Sequence, residues 1–131
     1  MTQKKTFQPG EIVTAGYKTG RYIGEVVDLK DPKAVVKVLA VMKHPTQGDL
    51  HNPKQLDVPL FHQRKALAEF EKALVPLSAI NHYEGDVPNY NESLRDALDT
   101  QEAELKHEGG RWAEASLIEI EKLKEEYFPT R

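Results

Sequence analysis

Apolar and polar positions follow one rhythm up to about residue 62 and another beyond it. In the first part, Glu11-Ile12-Val13-Thr14 follows the turn-forming pair Pro9-Gly10, and Tyr17 to Leu29 carries Tyr22, Ile23, Val26 and Val27 among glycines. Lys33 to Met42 then reads Lys-Ala-Val-Val-Lys-Val-Leu-Ala-Val-Met. Such β-branched runs with partial alternation predict strands. Asp31-Pro32 supplies turn chemistry between the second and third runs, because proline presets φ and aspartate bonds its own backbone. Asp57-Val58-Pro59-Leu60-Phe61 predicts a fourth strand, which Pro59 confines to an edge or a bulge. Short strands with long internal bends predict a small β-barrel over residues 1–62, since closure removes exposed edges. Gly16, Gly20 and Gly24 recur every fourth residue. With Lys18, Thr19, Arg21 and Tyr22 between them they cannot be a membrane-helix motif, and they predict bulges and tight bends instead.

From residue 63 to 131 the period becomes helical. Ala66, Leu67, Phe70, Ala73 and Leu74 fit one face of a helix over about 63–75, which Pro76 would end. A loop with Gly85 and Pro88 follows. Asn89 or Asn91 opens a second helix over about 91–108, Asn89 having the form of a capping box with Glu92 three residues on, and Leu94, Ala97, Leu98 and Leu105 lie on its apolar face. Gly109-Gly110 ends it. A third helix over about 111–128 carries Ala113, Leu117, Ile120, Leu123 and Tyr127 on one stripe, widened by Trp112 and Ile118. The last two helices form an antiparallel pair that must pack on the first helix or on the barrel to cover its apolar face. The predicted fold class is therefore α+β, a small barrel followed by a three-helix C-terminal extension packed on it.

Composition narrows the function. At 131 residues without a single cysteine, the chain has the length of one domain and can form no disulfide, thiolate metal site or cysteine nucleophile. Met1 to Phe7 has a little positive charge and no apolar run behind it, so neither a signal peptide nor a membrane span is expected. The net charge is −3. Residues 1–62 hold 9 Lys/Arg against 6 Asp/Glu and the remainder 9 against 15, a mild asymmetry that solvated helix faces explain.

Chemistry-bearing residues concentrate in one place. His44, Asp49, His51 and His62 could in principle ligate a divalent ion, which would make the chain a metal-dependent enzyme. No H-E-x-x-H and no histidine pair one helical turn apart supports this, and loop histidines more often order a turn by bonding backbone. Ser78, Ser93 and Ser116 lie in no nucleophile motif. Gly16-Tyr17-Lys18-Thr19 lacks the glycine-lysine contiguity and the following helix of a phosphate loop. Tyr17, Lys18, Arg21 and Tyr22 would suit stacking of single-stranded nucleic acid, against which the acidic second half acts. No catalytic residue, cofactor or metal is expected.

Four blocks then carry a resemblance: Gly16-Tyr17-Lys18-Thr19-Gly20-Arg21-Tyr22-Ile23-Gly24-Glu25; VMKHPTQGDLHNPKQLDVPLFHQRKAL from Val41 to Leu67; Tyr83 to Tyr90 with Glu92-Ser93-Leu94-Arg95; and Trp112-Ala113 with Ser116-Leu117. Together they resemble the kinase-associated protein B family of spore-forming bacilli. The resemblance implies an SH3-like form of the barrel, no enzymatic activity, and a non-catalytic accessory role beside a sensor histidine kinase in the sporulation phosphorelay. It also implies a lipoprotein, from which this sequence departs: it has no cysteine, and the leader that attachment needs is not expected. The expected partner is the cytoplasmic part of the kinase, with self-association also open, and no nucleic acid, membrane span or lipid anchor. The expected location is the cytoplasm, peripheral to the membrane through the kinase. The expected contact surface is the loop of His44, Pro45, Gln47, Gly48, Asp49, His51, Asn52 and Pro53 together with His62, the alternative for that loop being a rigid plug between barrel and helices.

Overall fold

The computed structural model describes residues 6–48 and 63–129. Five strands lie along it: β1 (Ile12–Tyr17), β2 (Gly20–Lys30), β3 (Lys33–Lys43), β4 (Lys72–Pro76) and β5 (Ile80–His82), with a 3-10 turn, Leu77–Ala79, between the last two. Helices α1 (Tyr90–Glu108) and α2 (Arg111–Tyr127) follow. The strands form one antiparallel sheet in the order β4-β3-β2-β1-β5.

Two expectations are corrected here. The sheet is open, not a closed SH3-like barrel: β4 and β5 end it on opposite sides, and no ladder joins them among the described residues. Curvature comes instead from register shifts between β2 and β3, at Arg21/Tyr22, Ile23/Gly24 and Val26/Asp28, each of which bends the strand pair without closing it. Second, the C-terminal part has two helices and not three among the described residues. Residues 72–75 of the segment expected as a helix over 63–75 lie in β4, with Ala73 and Val75 buried and Lys72, Leu74 and Pro76 exposed. Ala73 and Val75, two residues apart, face inward with the period of a strand, whereas Leu74, counted on the helical face, points outward, and the open edge of β3 supplies the hydrogen bonds that settle the choice. The strand expected over 57–61 lies outside the described residues.

The run from Tyr17 to Leu29 is split by a two-residue hairpin turn at Lys18 and Thr19, whose φ values are 45° and 69°. Positive φ at both central residues is the geometry whose twist matches the flanking strands. At Gly24 the bulge brings the strands so close that a Cβ would lie 2.5 Å from Val36 Cγ1 and 2.6 Å from the Lys37 carbonyl oxygen. Another departure is Phe70, in the turn before β4. Its φ of 68° falls in the left-handed region, which costs a residue other than glycine about 1–2 kcal/mol.

Two apolar clusters result. Phe7, Val13, Val26, Val36, Val75 and Ile80 fill the hollow of the bent sheet. Tyr22, Val38 and Val41 meet Tyr90, Leu94 and Leu98 of α1, with Ala113 and Ile120 of α2 behind them. Asn89 Oδ1 accepts the backbone N–H of Glu92 at 3.1 Å and caps α1, which decides between the two expected caps because Asn91 lies inside the helix, and Gly109, at φ 68°, ends it. Buried Ser93 joins helix to sheet: its hydroxyl accepts the Val41 N–H at 2.9 Å and donates to the Tyr90 carbonyl at 2.7 Å. Ile118, expected to widen the apolar stripe of α2, points outward at 57% exposure.

Candidate functional site

β3 delivers the chain into Lys43 and then His44, where sheet, helices and the strap of residues 64–67 converge. His44 is 0% exposed and Gln47 2%, and Pro45 and Gly48 are also buried. The strap has no regular structure, so its backbone groups need partners from elsewhere. Side chains supply them. Gln47 Oε1 accepts the Arg64 N–H and Gln47 Nε2 donates to the Arg64 carbonyl, both at 2.9 Å, in the manner of a neighbouring strand. The Ala66 N–H donates to the Tyr127 hydroxyl at 2.9 Å and the Leu67 N–H to the Tyr22 hydroxyl at 3.2 Å, while the Tyr90 hydroxyl donates to the Leu67 carbonyl. Gly48, at φ 100°, turns its carbonyl to accept Arg64 Nε at 2.9 Å.

The same network fixes the imidazole. His44 Nδ1 lies 3.0 Å from the Pro45 carbonyl, which can only accept, so Nδ1 carries a proton. Nε2, 3.1 Å from the Tyr127 hydroxyl, is then the acceptor in the neutral ring, a tautomer assigned from this network. Burial pushes the His44 pKa down from 6.5 to about 4, partly opposed by hydrogen bonds to Pro45 and Gln101. Burial likewise raises the pKa of Tyr22, Tyr90 and Tyr127, the last to about 12, so all three phenols keep their protons. The Pro45 carbonyl accepts Gln47 Nε2 and Gln101 Nε2, each at 3.1 Å, and the Thr46 N–H reaches Thr19 Oγ1 at 3.0 Å. That last bond ties the strained hairpin turn to the junction.

Of the expected contact residues, the structure thus brings His44, Pro45, Gln47 and Gly48 together inside the molecule. Asp49, His51, Asn52, Pro53 and His62 lie outside the described residues. Both nitrogens of His44 are occupied by protein hydrogen bonds, and no group of three His, Asp or Glu residues could hold a metal ion among the described residues. His82 sits apart, 3.4 Å from Glu11 Oε2 and against the Phe7 ring. Two clefts flank the junction. One, of about 390 Å³, is lined by Tyr17, Lys18, Arg64, Lys65, Glu71 and neighbours; the other, of about 210 Å³, by Met42, Lys43, Gln101, Glu104, Trp112 and neighbours. Chemically, the junction exchanges hydrogen bonds and holds position. Sequence reasoning missed the three tyrosines and Gln47 as one unit. The available signal was a tyrosine inside each apolar face, because a buried phenol requires a polar partner.

A family model described as kinase associated protein B matches residues 17–128. The chain belongs to that family. Kinase-associated lipoprotein B of Bacillus subtilis (strain 168) is 50% identical over 123 residues, which are 94% of this chain and 96% of the relative. An X-ray crystal structure of kinase-associated protein B from Bacillus cereus superposes with a TM-score of 0.80 at 43% identity, covering 93% of this chain and 98% of that one. The matched span of the kinase-associated protein B family takes in the junction from Tyr17 at one end to Tyr127 at the other. No helix among the described residues is long and apolar enough to cross a membrane.

Proposed function

We infer that this protein is a non-catalytic accessory of a sensor histidine kinase in the sporulation phosphorelay, working in the cytoplasm against the kinase's cytoplasmic part. Membership of the kinase-associated protein B family supports the partner class. The observation that carries the mode of action is the junction itself: His44 and Gln47 spend their polar atoms on internal bonds, leaving rigid shape as what this region offers a partner. In this scheme His44, Pro45, Gln47 and Gly48 are the rooted half of the contact loop, and Asp49, His51, Asn52, Pro53 and His62 meet the kinase. Binding shifts the kinase between conformations only as far as its affinity for them differs.

The test is capture of the purified cytoplasmic part of the cognate kinase by this protein, repeated with His51→Ala, alongside the kinase's autophosphorylation rate with and without the protein. Direct, saturable capture and a changed rate are expected, with weaker capture by the variant. Absence of capture at about 100 μM, well above the micromolar range of transient signalling contacts, overturns the proposal.

A further inference from the structure

The face of the sheet turned away from the core holds a second feature. Val35 and Leu74 are direct cross-strand partners, as are Lys37 with Lys72 and Lys33 with Pro76, so these six side chains share one side of β3 and β4. Their neighbours Ala34, Val36, Ala73 and Val75 are buried on the other side. Lys37 Nζ stands 5.8 Å from the centre of the Phe70 ring, which places that ring over the same outer face. Phe70 is 58% exposed and Leu74 45%.

Three properties of this ledge disfavour the isolated protein. Phe70 is the third residue of the turn 68–71, closed by the Glu71 N–H on the Ala68 carbonyl at 3.1 Å, and its φ of 68° suits glycine or asparagine. Glycine would hold the backbone without strain, whereas this chain keeps a large ring there and leaves it in water. Lys37 and Lys72 set like charges directly opposite each other, an unfavourable pairing that the Lys37–Glu25 contact at 3.6 Å relieves only in part. Leu74 sits exposed at the centre. Strain retained under an outward-facing side chain is a mark of function.

We propose that the Phe70–Leu74 ledge is a docking surface for a protein segment with apolar side chains flanked by carboxylates. Phe70, Leu74 and Val35 take the apolar side chains, and Lys33, Lys37 and Lys72 take the carboxylates. Glu69 and Glu71, next to Phe70 in sequence, and Glu25, beside Lys37, interleave negative charge with the three lysines, so the patch has no net positive charge to draw an anionic bilayer, whereas a protein segment can set its carboxylates on individual lysines. The proposal rests on the kinase reading for its partner and adds a surface on β3 and β4 to the contact residues proposed above.

Binding of the kinase's cytoplasmic part would be compared for the wild type, Phe70→Gly, Leu74→Thr and Lys72→Glu, each with its thermal midpoint. Phe70→Gly and Lys72→Glu relieve strain and like-charge contact, so the midpoint is expected to hold or rise while affinity falls roughly tenfold. Lys72→Glu is expected to flatten the salt dependence of binding as well. Wild-type capture left unchanged by all three variants overturns this surface and spares the kinase reading; failure of the wild type to bind overturns both. A lowered midpoint for Phe70→Gly assigns the ring to the fold and also overturns it. Variant-sensitive self-association, or variant-sensitive binding to phosphatidylserine–phosphatidylcholine vesicles with kinase capture unaffected, assigns the ledge to another occupant and overturns it too.

Discussion

Acidification is expected to loosen this protein through one buried group. His44 has a folded-state pKa of about 4 against 6.5 when unfolded, because burial penalises the imidazolium. Between those values the unfolded chain binds the proton and the folded chain does not. The stabilisation is therefore complete above pH 6.5 and is lost as pH falls towards 4, below which both states are charged. Each pH unit in the window corresponds to about 1.4 kcal/mol, which gives about 2 kcal/mol lost by pH 5 and about 3 kcal/mol in all. Geometry explains the resistance to protonation. A proton on Nε2 would face the Tyr127 hydroxyl, whose oxygen already accepts from Ala66 and whose own hydrogen would lose its acceptor. Urea denaturation of the wild type and of His44→Gln at several pH values isolates the effect, since carboxylate titration is common to both. His44→Gln is expected to be less stable at neutral pH, with the gap narrowing by about 2 kcal/mol between pH 7 and pH 5, or about 1 M in midpoint for a protein of this size. A gap that stays constant or widens on acidification would falsify the assignment of a neutral, buried His44.

Three further perturbations probe the frame. Gly24→Ala should destabilise by about 3 kcal/mol in chemical denaturation, because the added methyl meets the Lys37 carbonyl and the backbone must move; an unchanged midpoint would show that the bulge is not tight. Ser93→Ala strips the Val41 N–H of its acceptor and should cost about 1–3 kcal/mol, with faster exchange of that amide visible by NMR. Asn89→Ala should cost about 1 kcal/mol through loss of the α1 cap, while Asn89→Asp should leave the thermal midpoint nearly unchanged.

Elements governed by local rules were the legible ones. Gly109-Gly110 marks a helix end because caps depend on a few adjacent residues, and the expected runs 11–14, 17–29 and 33–42 coincide with strands because β-branched positions recur within them, although the hairpin turn at Lys18 and Thr19 inside the second was not read. Ala66 to Leu74 was not legible in the same way. Its spacing suits a helix, and the deciding factor, the unpaired edge of β3, comes from residues 35 to 43 positions away. Barrel closure failed for a related reason, since bends at Gly24 and its neighbours can be read as curvature but closure depends on how two edge strands finally lie. At the site, His44 and Gln47 stood out as polar residues in a loop. Their burial could not be seen, because the tyrosines that satisfy the strap come from β2, α1 and α2 and share no local pattern.

The strap of residues 64–67 has a mechanical consequence. Four separate parts of the chain (a strand, the 44–48 loop and both helices) grip its peptide groups, so it acts as a rivet through the whole molecule. Neither helix can swing from the sheet without breaking a hydrogen bond to a half-buried peptide group of the strap. Amides of Ala66 and Leu67, though outside any ladder, should therefore exchange more slowly than those of a free loop, because their tyrosine acceptors must be released first.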